Sequence, residues 1–351
     1  LGAFALADDL KTDTSQAITA LQNSGINVIL MSGDKQSVVD HVAGQLGIEK
    51  AYGKMSPRDK ASQIARLQTA GHKVAMAGDG VNDAPALKRA DAGIAMGRKG
   101  SEAAREAADV VLADDNFRSI ADAVREGRTV YDNIVKVIAW TLPTSTGEAL
   151  TVVAALLLGL TMPVTAVQIL WINLITASTL GIALAFEPSE GATMDRPPRE
   201  RSRPLLTVEL AWHIALVSVL FMAAVFSMFV YTTGQGHSVE YARTVAVNTL
   251  VVLEIFQLLF VRTMHTPILS WRKVAGTRPV WLAIGIVVIG QSAITYLPIL
   301  QPIFGTEAIG GQDIALIFGL GIVLYAILES EKRMRMALRG SARHRSGPQA
   351  A

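Results

Sequence analysis

The residues best suited to chemistry in this chain are carboxylates on a glycine-bearing turn. Asp79 and Asp83 lie four positions apart in the sequence GDGVND at 78–83, and Gly80 lets the backbone turn tightly between them. Two carboxylates that approach one centre suit Mg²⁺, a hard cation that prefers oxygen ligands. The amide of Asn82 can donate to a phosphoryl oxygen. The turn therefore predicts a magnesium-dependent phosphate site.

Two other segments can supply groups to the same site. Ser32 and the Gly33 backbone N–H are hydrogen-bond donors in a turn that also contains Asp34. Lys60, in the sequence SPRDK at 56–60, can place a compact positive charge on a phosphate. Singly, each segment is equally typical of a solvated turn or helix start. Together and in this order they favour phosphoryl transfer, in which positioned charges stabilise the transition state.

The elements that must position these residues follow an alternating strand and helix pattern. The pattern predicts a doubly wound, mainly parallel sheet, in which ligands gather at the carboxyl ends of the strands. The two polar turns are then expected to share one crevice. The predicted strands are Ala3–Ala7, Val28–Met31, Val74–Ala77, Ala92–Met96 and Val110–Leu112, and the predicted helices are Ser15–Gln22, Ser37–Leu46 and Lys60–Thr69.

The rest of the chain is predicted to cross a membrane. Half of all residues are hydrophobic and 18% are charged, whereas a soluble domain has roughly a quarter charged. Six apolar stretches are long enough to span a bilayer. They are Val130–Leu158, Val164–Phe186, Leu210–Tyr231, Thr244–Val261, Val280–Leu297 and Ile314–Leu328.

Loop charge predicts the orientation of these spans. Basic residues concentrate in alternate loops, which the positive-inside rule places in the cytoplasm together with the head. The expected organisation is a cytoplasmic head at 1–129, a membrane domain at 130–330 and a basic cytoplasmic tail at 331–351, in the plasma membrane. The basic residues are Arg196, Arg199, Arg201, Arg203, Arg262, Arg272, Lys273, Arg278, Lys332, Arg333, Arg335 and Arg339.

Composition excludes several classes of function. The formal net charge of +2 is too small to indicate a nucleic-acid partner. The chain has no cysteine, which excludes disulfides, a thiolate nucleophile and cysteine-based metal sites. Any catalysis must therefore use carboxylates, hydroxyls and lysines.

The first two predicted spans contain polar residues at helical spacing. Ser145 with Glu148, and Asn173 with Thr176, are three positions apart, so each pair is expected to share a helix face. A carboxylate inside a span is costly unless it meets partners or water, which favours a cation site. Pro143 can free a backbone carbonyl there. The alternative is that the hydroxyls and amide only join helices by hydrogen bonds.

The fourth predicted span adds a second acidic position. Glu254 and Gln257 share a helix face and could reach the ion path. The alternative is a buried structural pair that is satisfied by hydrogen bonds. The sequence leaves both interpretations open.

Several segments together resemble the P-type ATPases, whose phosphorylation domain belongs to the haloacid dehalogenase superfamily. They are Ser32-Gly33-Asp34, SPRDK at 56–60, GDGVNDAPAL at 78–87, ADAGIAMG at 90–97 and MDRPPR at 194–199, and the last is similar to type II, calcium-pump-like members.

The resemblance implies a role for each matching position. Asp79 and Asp83 are expected to hold Mg²⁺, with ATP as phosphoryl donor. Lys60, Asn82 and the turn at 32–34 are expected to contact the phosphate. The implied fold class is α/β plus membrane α, with a partial haloacid-dehalogenase-like head followed by six transmembrane helices.

The sequence departs from the family in what it lacks. The nucleophilic aspartate of the family lies in an Asp-Lys-Thr-Gly-Thr motif, which this sequence does not contain. Segments resembling the actuator domain, the nucleotide-binding domain and the first four membrane helices are also missing. We expect the C-terminal half of a pump, with its N-terminal half supplied by a longer product or by a separate polypeptide.

The resemblance also concerns the transported cation. Glu148, Asn173 and Thr176 match ion-binding positions of calcium pumps, whereas Ser145 replaces an asparagine and Ala177 replaces an aspartate that bridges two ions. Transport of Ca²⁺, of one ion instead of two, of another cation, or coupled to protons all remain open. Two other functions are a non-catalytic membrane subunit that supplies the ion path and a membrane-attached phosphohydrolase. The phosphohydrolase is disfavoured because it needs the missing nucleophile.

Overall fold

The computed structural model describes residues 12–188, 193–199, 204–262 and 277–345. The chain divides into two compact units. The head unit comprises Leu1–Thr129 and Ser189–Glu200, and the helical unit comprises Val130–Pro188 and Arg201–Ala351.

The head unit alternates short strands with helices. The strands are β1 (Ile29–Met31), β2 (Lys50–Tyr52), β3 (Ala75–Gly78), β4 (Ala92–Met96) and β5 (Val110–Leu112). The helices are α1 (Thr12–Asn23), α2 (Gln36–Leu46), α3 (Pro57–Thr69), α4 (Ala84–Arg89) and α5 (Glu102–Ala107).

All strand pairings in the described part of the head are parallel. Strand β1 pairs with β2, and β3, β4 and β5 form a second sheet in that order. The predicted strands Ala92–Met96 and Val110–Leu112 are confirmed without change, and those at β1 and β3 are confirmed to within a residue. Strand β2 was not predicted, because its sequence, Lys50-Ala51-Tyr52, is not a continuous run of apolar residues.

The expectation of one continuous sheet is wrong for the described residues, which form two sheets. The predicted strand Ala3–Ala7 lies outside them. The two sheets nevertheless share apolar packing, because Met31 of β1 contacts the core of the second sheet, which contains Ile64 and Met76. Residues from two helices, α4 and α5, complete that core, namely Ala86, Leu87 and Ala104, together with Ala95 of β4. The two polar turns thus follow strands that pack on one core.

The helical unit consists of long apolar helices. They are α6 (Phe117–Leu157), which enters this unit from Val130 onward, α7 (Ala166–Thr176), α8 (Ile182–Ala185), α9 (Val208–Gly234), α10 (Val239–Val261), α11 (Arg278–Tyr296), α12 (Gln301–Phe304) and α13 (Gly311–Arg345). Between α7 and α8 the backbone forms a π-helical turn, Ala177–Gly181. Such a turn interrupts the regular hydrogen-bond ladder and is frequent at functional sites.

Among the described residues, five helical segments are long and apolar enough to cross a membrane, so this is a membrane protein. They are Ala166–Ala185, Val208–Gly234, Val239–Val261, Arg278–Tyr296 and Gly311–Leu338. Five of the six predicted spans are confirmed, but the first, Val130–Leu158, is not among these segments. Its region lies in helix α6. Polar side chains lower its hydropathy, in particular Thr141, Thr144, Ser145, Thr146 and Glu148.

A buried ion pair joins the ends of three helices in this unit. Glu187, which follows α8, accepts a hydrogen bond from Nε of Arg262 at 2.7 Å, and both side chains are under 10% exposed. The N-cap residue of α11, Thr277, donates to the same carboxylate at 3.4 Å. Asn133 of α6 holds the Glu187 backbone oxygen at 2.7 Å. The pair therefore fixes these helix ends relative to each other.

We expect Arg262→Met to destabilise the helical unit by about 3–5 kcal/mol, because it leaves the Glu187 carboxylate buried without its counter-ion. The double variant Glu187→Leu/Arg262→Met should lose less than the single one, since it leaves no isolated charge. Thermal unfolding of the purified protein in detergent measures both. A double variant that unfolds at a lower temperature than the single variant would contradict this account of the pair.

Candidate functional site

Helix α3 begins with a structure that fixes Lys60 in its first turn. The Ser56 hydroxyl accepts from the Asp59 N–H at 3.2 Å, and the Asp59 carboxylate accepts from the Ser56 N–H at 2.9 Å. Pro57 opens the helix, where its missing N–H has no cost. Hydrogen bonds from Ser56 lower the pKa of Asp59, which stays ionised and reinforces the cap. The SPRDK sequence therefore serves first to start the helix that carries Lys60.

Lys60 and Asp83 form an ion pair beside the turn that follows β3. The Lys60 Nζ to Asp83 Oδ1 distance is 2.7 Å, and the two side chains are only 12% and 11% exposed. The second oxygen, Oδ2, accepts from the Gly80 N–H at 3.3 Å. Because each carboxylate oxygen has a donor, Asp83 holds Lys60 and the turn together.

The glycine that this arrangement requires is Gly78. A Cβ at Gly78 would lie 2.7 Å from Cβ of Asp83, so a side chain there would displace the acid. Gly80 has a φ of −89°, which other residues adopt readily. The prediction that the tight turn requires glycine at Gly80 is therefore wrong. Close approach, and not backbone flexibility, therefore explains the first glycine of the GDG pattern, Gly78.

Asp79 and Asn82 differ from Asp83 in being exposed. The Asp79 backbone oxygen accepts from the Ser101 N–H at 2.8 Å, which ties the turn to the start of α5. Within the described part of the chain, no group of three or more His, Cys, Asp or Glu side chains could hold a metal ion. The carboxylate of Asp79 is accessible from solvent.

The turn at 32–34 lies at the carboxyl end of β1. The Ser32 hydroxyl donates to Oδ2 of Asp34 at 2.8 Å, and the Ser32 N–H donates to the Tyr52 oxygen at 2.9 Å. Gly33 and Asp34 are exposed. The turn is closed on itself, with its glycine accessible.

A second polar centre lies inside the helical unit. Glu148 of α6 is 5% exposed, and its Oε2 accepts from Nδ2 of Asn173 on α7 at 2.8 Å. Glu254 of α10 is 1% exposed and lies close enough to Thr176 and Glu148 to interact with both electrostatically. With Gln257, which is fully buried on α10, these residues form what we call the intramembrane polar cluster.

Gln257 binds a carbonyl that Pro143 leaves free. Proline lacks an N–H, so the Ala139 oxygen four positions earlier has no helical donor. Nε2 of Gln257 donates to that oxygen at 3.2 Å. The neighbouring Trp140 donates from Nε1 to the Glu254 backbone oxygen at 3.0 Å. These contacts dock α10 onto α6 at the cluster.

Three oxygen atoms of the cluster are buried and have no hydrogen-bond partner among the described residues. They are Oε1 of Glu148, Oε2 of Glu254 and Oε1 of Gln257. Burying such acceptors without partners is costly, and that cost is removed when they coordinate a cation or meet protons. The arrangement is therefore chemically suited to a hard cation with oxygen ligands.

Ser145 does not join the cluster. It is exposed, whereas Thr144 beside it is buried and donates to the Thr141 oxygen at 2.8 Å. The assignment of Ser145 to the cation site therefore stays a prediction, because Glu148 is buried in this structure and Ser145 is exposed. Thr176 also donates to the Ile172 oxygen of its own helix at 2.8 Å. The residues that sequence reasoning missed are Ala139, through its carbonyl, and Trp140. Pro143 indicated a free carbonyl in the sequence, but the contact of Gln257 with the Ala139 oxygen was not predicted.

Comparison with protein families matches both units. Residues 161–334 match the family described as cation transporting ATPase, C-terminus. Residues 1–91 and 60–124 match two families described as haloacid dehalogenase-like hydrolase. Both of these matches include Lys60 and the turn at 78–83.

Known relatives match along most of the chain. The probable cation-transporting ATPase F of Mycobacterium tuberculosis is 38% identical over 340 residues, covering 88% of this chain and 37% of that protein. The calcium-transporting ATPase of Bacillus subtilis is 31% identical over 351 residues, covering 92% of this chain and 39% of that protein. The chain thus spans less than two fifths of the length of either relative.

Proposed function

The chain belongs to the cation-transporting P-type ATPases, matching their C-terminal part, and from this premise we propose that it contributes to an ATP-driven pump that moves a cation across a membrane. In the proposed cycle, the terminal phosphoryl group of ATP passes to an aspartate that this sequence does not contain. Water then releases it as phosphate. The observation that carries the proposal is the set of three buried oxygens without partners in the intramembrane polar cluster.

The head unit would contribute charge and hydrogen bonds to the phosphoryl group. Lys60, which Asp83 holds in place, would neutralise phosphate charge, and the exposed amide of Asn82 would donate to a phosphoryl oxygen. Ser32 and the Gly33 N–H would line the same pocket. Phosphoryl transfer depends mostly on such positioning and electrostatic stabilisation, which these side chains supply without a nucleophile of their own.

The donor chemistry fits Mg²⁺ held mainly by Asp79. Proteins bind this ion through one or two carboxylates together with substrate phosphates and water, and Asp79 offers an exposed carboxylate. Asp83 is engaged by Lys60 and the Gly80 N–H, so it supports the site and is at most a second ligand. When bound, Mg²⁺ would neutralise charge on the phosphates of ATP.

Ca²⁺ is the cargo that we propose. The cluster offers carboxylate, amide and hydroxyl oxygens, which are typical Ca²⁺ ligands, and a relative that is 31% identical is named a calcium-transporting ATPase. Two acids, Glu148 and Glu254, match the charge of one divalent ion. Ala177, the first residue of the π-helical turn, supplies no side-chain ligand, which favours one ion over two.

We also propose the orientation of the protein. Basic residues lie in the sequence between α8 and α9, in the sequence between α10 and α11, and at the end of α13. They favour a cytoplasmic position for these connections, for the head unit and for the C-terminus, with the protein in the plasma membrane. Lipid and the transported cation are the expected partners of this chain, together with the remaining part of the pump.

Transport into inside-out vesicles that contain the full-length pump tests this function. We expect ATP and Mg²⁺ to drive uptake of labelled Ca²⁺, with Na⁺, K⁺, Mn²⁺ and Zn²⁺ assayed in parallel to test the choice of ion. Uptake of a different ion would correct the cargo and keep the pump. Absence of ATP-driven uptake of any cation would contradict the proposed function.

A second candidate function is a non-catalytic membrane subunit. A subunit of this kind would bind an N-terminal partner and supply the ion path alone. Its head unit would then need no Mg²⁺, so substitution of Asp79 would leave transport unchanged.

A further inference from the structure

The loop between β4 and α5, residues 97–101, is held in one conformation by backbone contacts. The Gly97 N–H donates to the Leu112 oxygen at 2.9 Å, and Gly97 has no room for a side chain, because a Cβ would lie 2.7 Å from that oxygen. At Gly100 a Cβ would lie 1.8 Å from the Met96 oxygen. We call these residues the 97–101 loop. Only glycine therefore fits at positions 97 and 100, which lie on either side of Arg98 and Lys99.

Asp115 closes this loop from the other side. Its Oδ1 accepts from the Arg98 N–H and its Oδ2 from the Lys99 N–H, both at 2.9 Å. Asp115 is 6% exposed and has a φ of +54°, a conformation that costs most residues energy but that Asp and Asn adopt more easily. A buried carboxylate in an unfavourable backbone conformation is retained when its contacts require it.

The 97–101 loop leads directly to the phosphate turn. Its last residue, Ser101, donates its N–H to the Asp79 oxygen at 2.8 Å. Ser101 is also the N-cap of α5, where its hydroxyl accepts from the Ala104 N–H at 3.2 Å. Arg105 of α5 donates to the oxygens of Gly97 and Gly100 at 3.0 and 2.9 Å. A continuous set of hydrogen bonds thus runs from Asp115 to the backbone of Asp79.

We propose that Asp115 is a positioning residue for the phosphate site, which clamps the 97–101 loop and thereby fixes the backbone from which the Asp79 carboxylate reaches Mg²⁺. The inference rests on the proposed role of Asp79. A carboxylate on a freely moving turn would have to be ordered whenever the ion binds, and the clamp removes that cost in advance. Groups that orient a metal ligand typically change metal affinity by about 10–100-fold when they are removed.

Two substitutions of Asp115 distinguish a positioning role of this residue from a simple loss of folding. Asp115→Asn tolerates the same φ but accepts one of the two N–H groups, because its amide nitrogen cannot accept. Asp115→Gly also tolerates this φ and accepts neither. Asp114→Asn is the matched control. Asp114 is exposed and accepts from the Ser119 hydroxyl at 2.7 Å and the Asn116 N–H at 3.2 Å, outside the 97–101 loop.

The first readout is backbone hydrogen exchange in the full-length pump, followed at residues 98, 99 and 101. We expect exchange at these amides to be faster in Asp115→Asn and faster still in Asp115→Gly, by about tenfold or more for Ser101. Asp114→Asn should leave them unchanged. Unchanged exchange at Ser101 in both Asp115 variants would overturn the proposal, and this readout needs no enzymatic activity.

The second readout is the Mg²⁺ concentration that gives half-maximal phosphoenzyme. We expect it to rise about 10-fold or more in Asp115→Gly and less in Asp115→Asn, while the ATP concentration for half-maximal labelling stays within about twofold. An equal rise for Mg²⁺ and ATP, or a rise in Asp114→Asn as large as in Asp115→Gly, would overturn the proposal. Absence of phosphoenzyme in the unsubstituted pump would contradict the proposed function, and hydrogen exchange at Ser101 would then decide the clamp by itself.

Discussion

Replacing Asp79 by Asn in the full-length pump is expected to abolish Mg²⁺-dependent phosphoenzyme formation. Asp79 is the exposed carboxylate of the turn, whereas the Asp83 carboxylate is already engaged by Lys60. Asn keeps the shape of the side chain but removes the charge that attracts Mg²⁺. No other acid of the turn is available to replace that charge. We expect the initial rate of labelling from ATP to fall by about 10²–10³-fold or more, the loss typical for removing one preorganised electrostatic contact.

The matched control for Asp79 is Val81→Ala in the same turn. Val81 is 64% exposed, so its truncation changes the turn surface without removing a charge or a described contact. Labelling should remain within about twofold of the unsubstituted pump, since exposed substitutions have small effects. Normal phosphoenzyme in Asp79→Asn would remove Asp79 from the metal site.

Replacing Glu148 by Gln is expected to raise the cation concentration needed for half-maximal ATPase activity by about tenfold or more. The substitution removes one of two buried charges but leaves an oxygen that can still accept from Asn173. A contact to a charged group commonly contributes about 1.5–3 kcal/mol, and 1.4 kcal/mol corresponds to tenfold in affinity. Phosphorylation from inorganic phosphate, which does not need the cation, should persist.

Ser145→Ala provides the control for Glu148. Both residues lie on α6, but Ser145 is exposed and outside the intramembrane polar cluster. The cation concentration needed for half-maximal ATPase activity in Ser145→Ala should match that of the unsubstituted pump. If Glu148→Gln kept a normal cation dependence, Glu148 would not belong to the ion site. If Ser145→Ala shifted the dependence as strongly, the site would extend beyond the cluster that the structure shows.

The sequence was most informative where a pattern has one physical cause. Strands β4 and β5 were located without error because each is a short apolar run that directly follows an aspartate. Pro143 indicated a free carbonyl in α6, and the Ala139 oxygen is indeed held by Gln257 in place of a helical donor. Both inferences depend on local chemistry that neighbouring residues fully determine.

Tertiary contacts explain what could not be predicted. The role of Gly78 depends on the approach of Asp83 from the next turn, which residue spacing does not reveal. Helix α6 was predicted to contain the first span, but its polar residues, including Glu148, keep it outside the five spanning segments found among the described residues. Ser145 satisfied the spacing rule, but spacing alone does not determine which face of a helix is buried.

The most direct test of the whole account is phosphoenzyme formation from labelled ATP and Mg²⁺. The purified chain is assayed alone and then after addition of an N-terminal half that carries the Asp-Lys-Thr-Gly-Thr motif. We predict no labelling of the chain alone and labelling after complementation, with the extent of labelling changed by Ca²⁺. A folded complex that forms no phosphoenzyme with any cation would contradict the account and favour the non-catalytic membrane subunit.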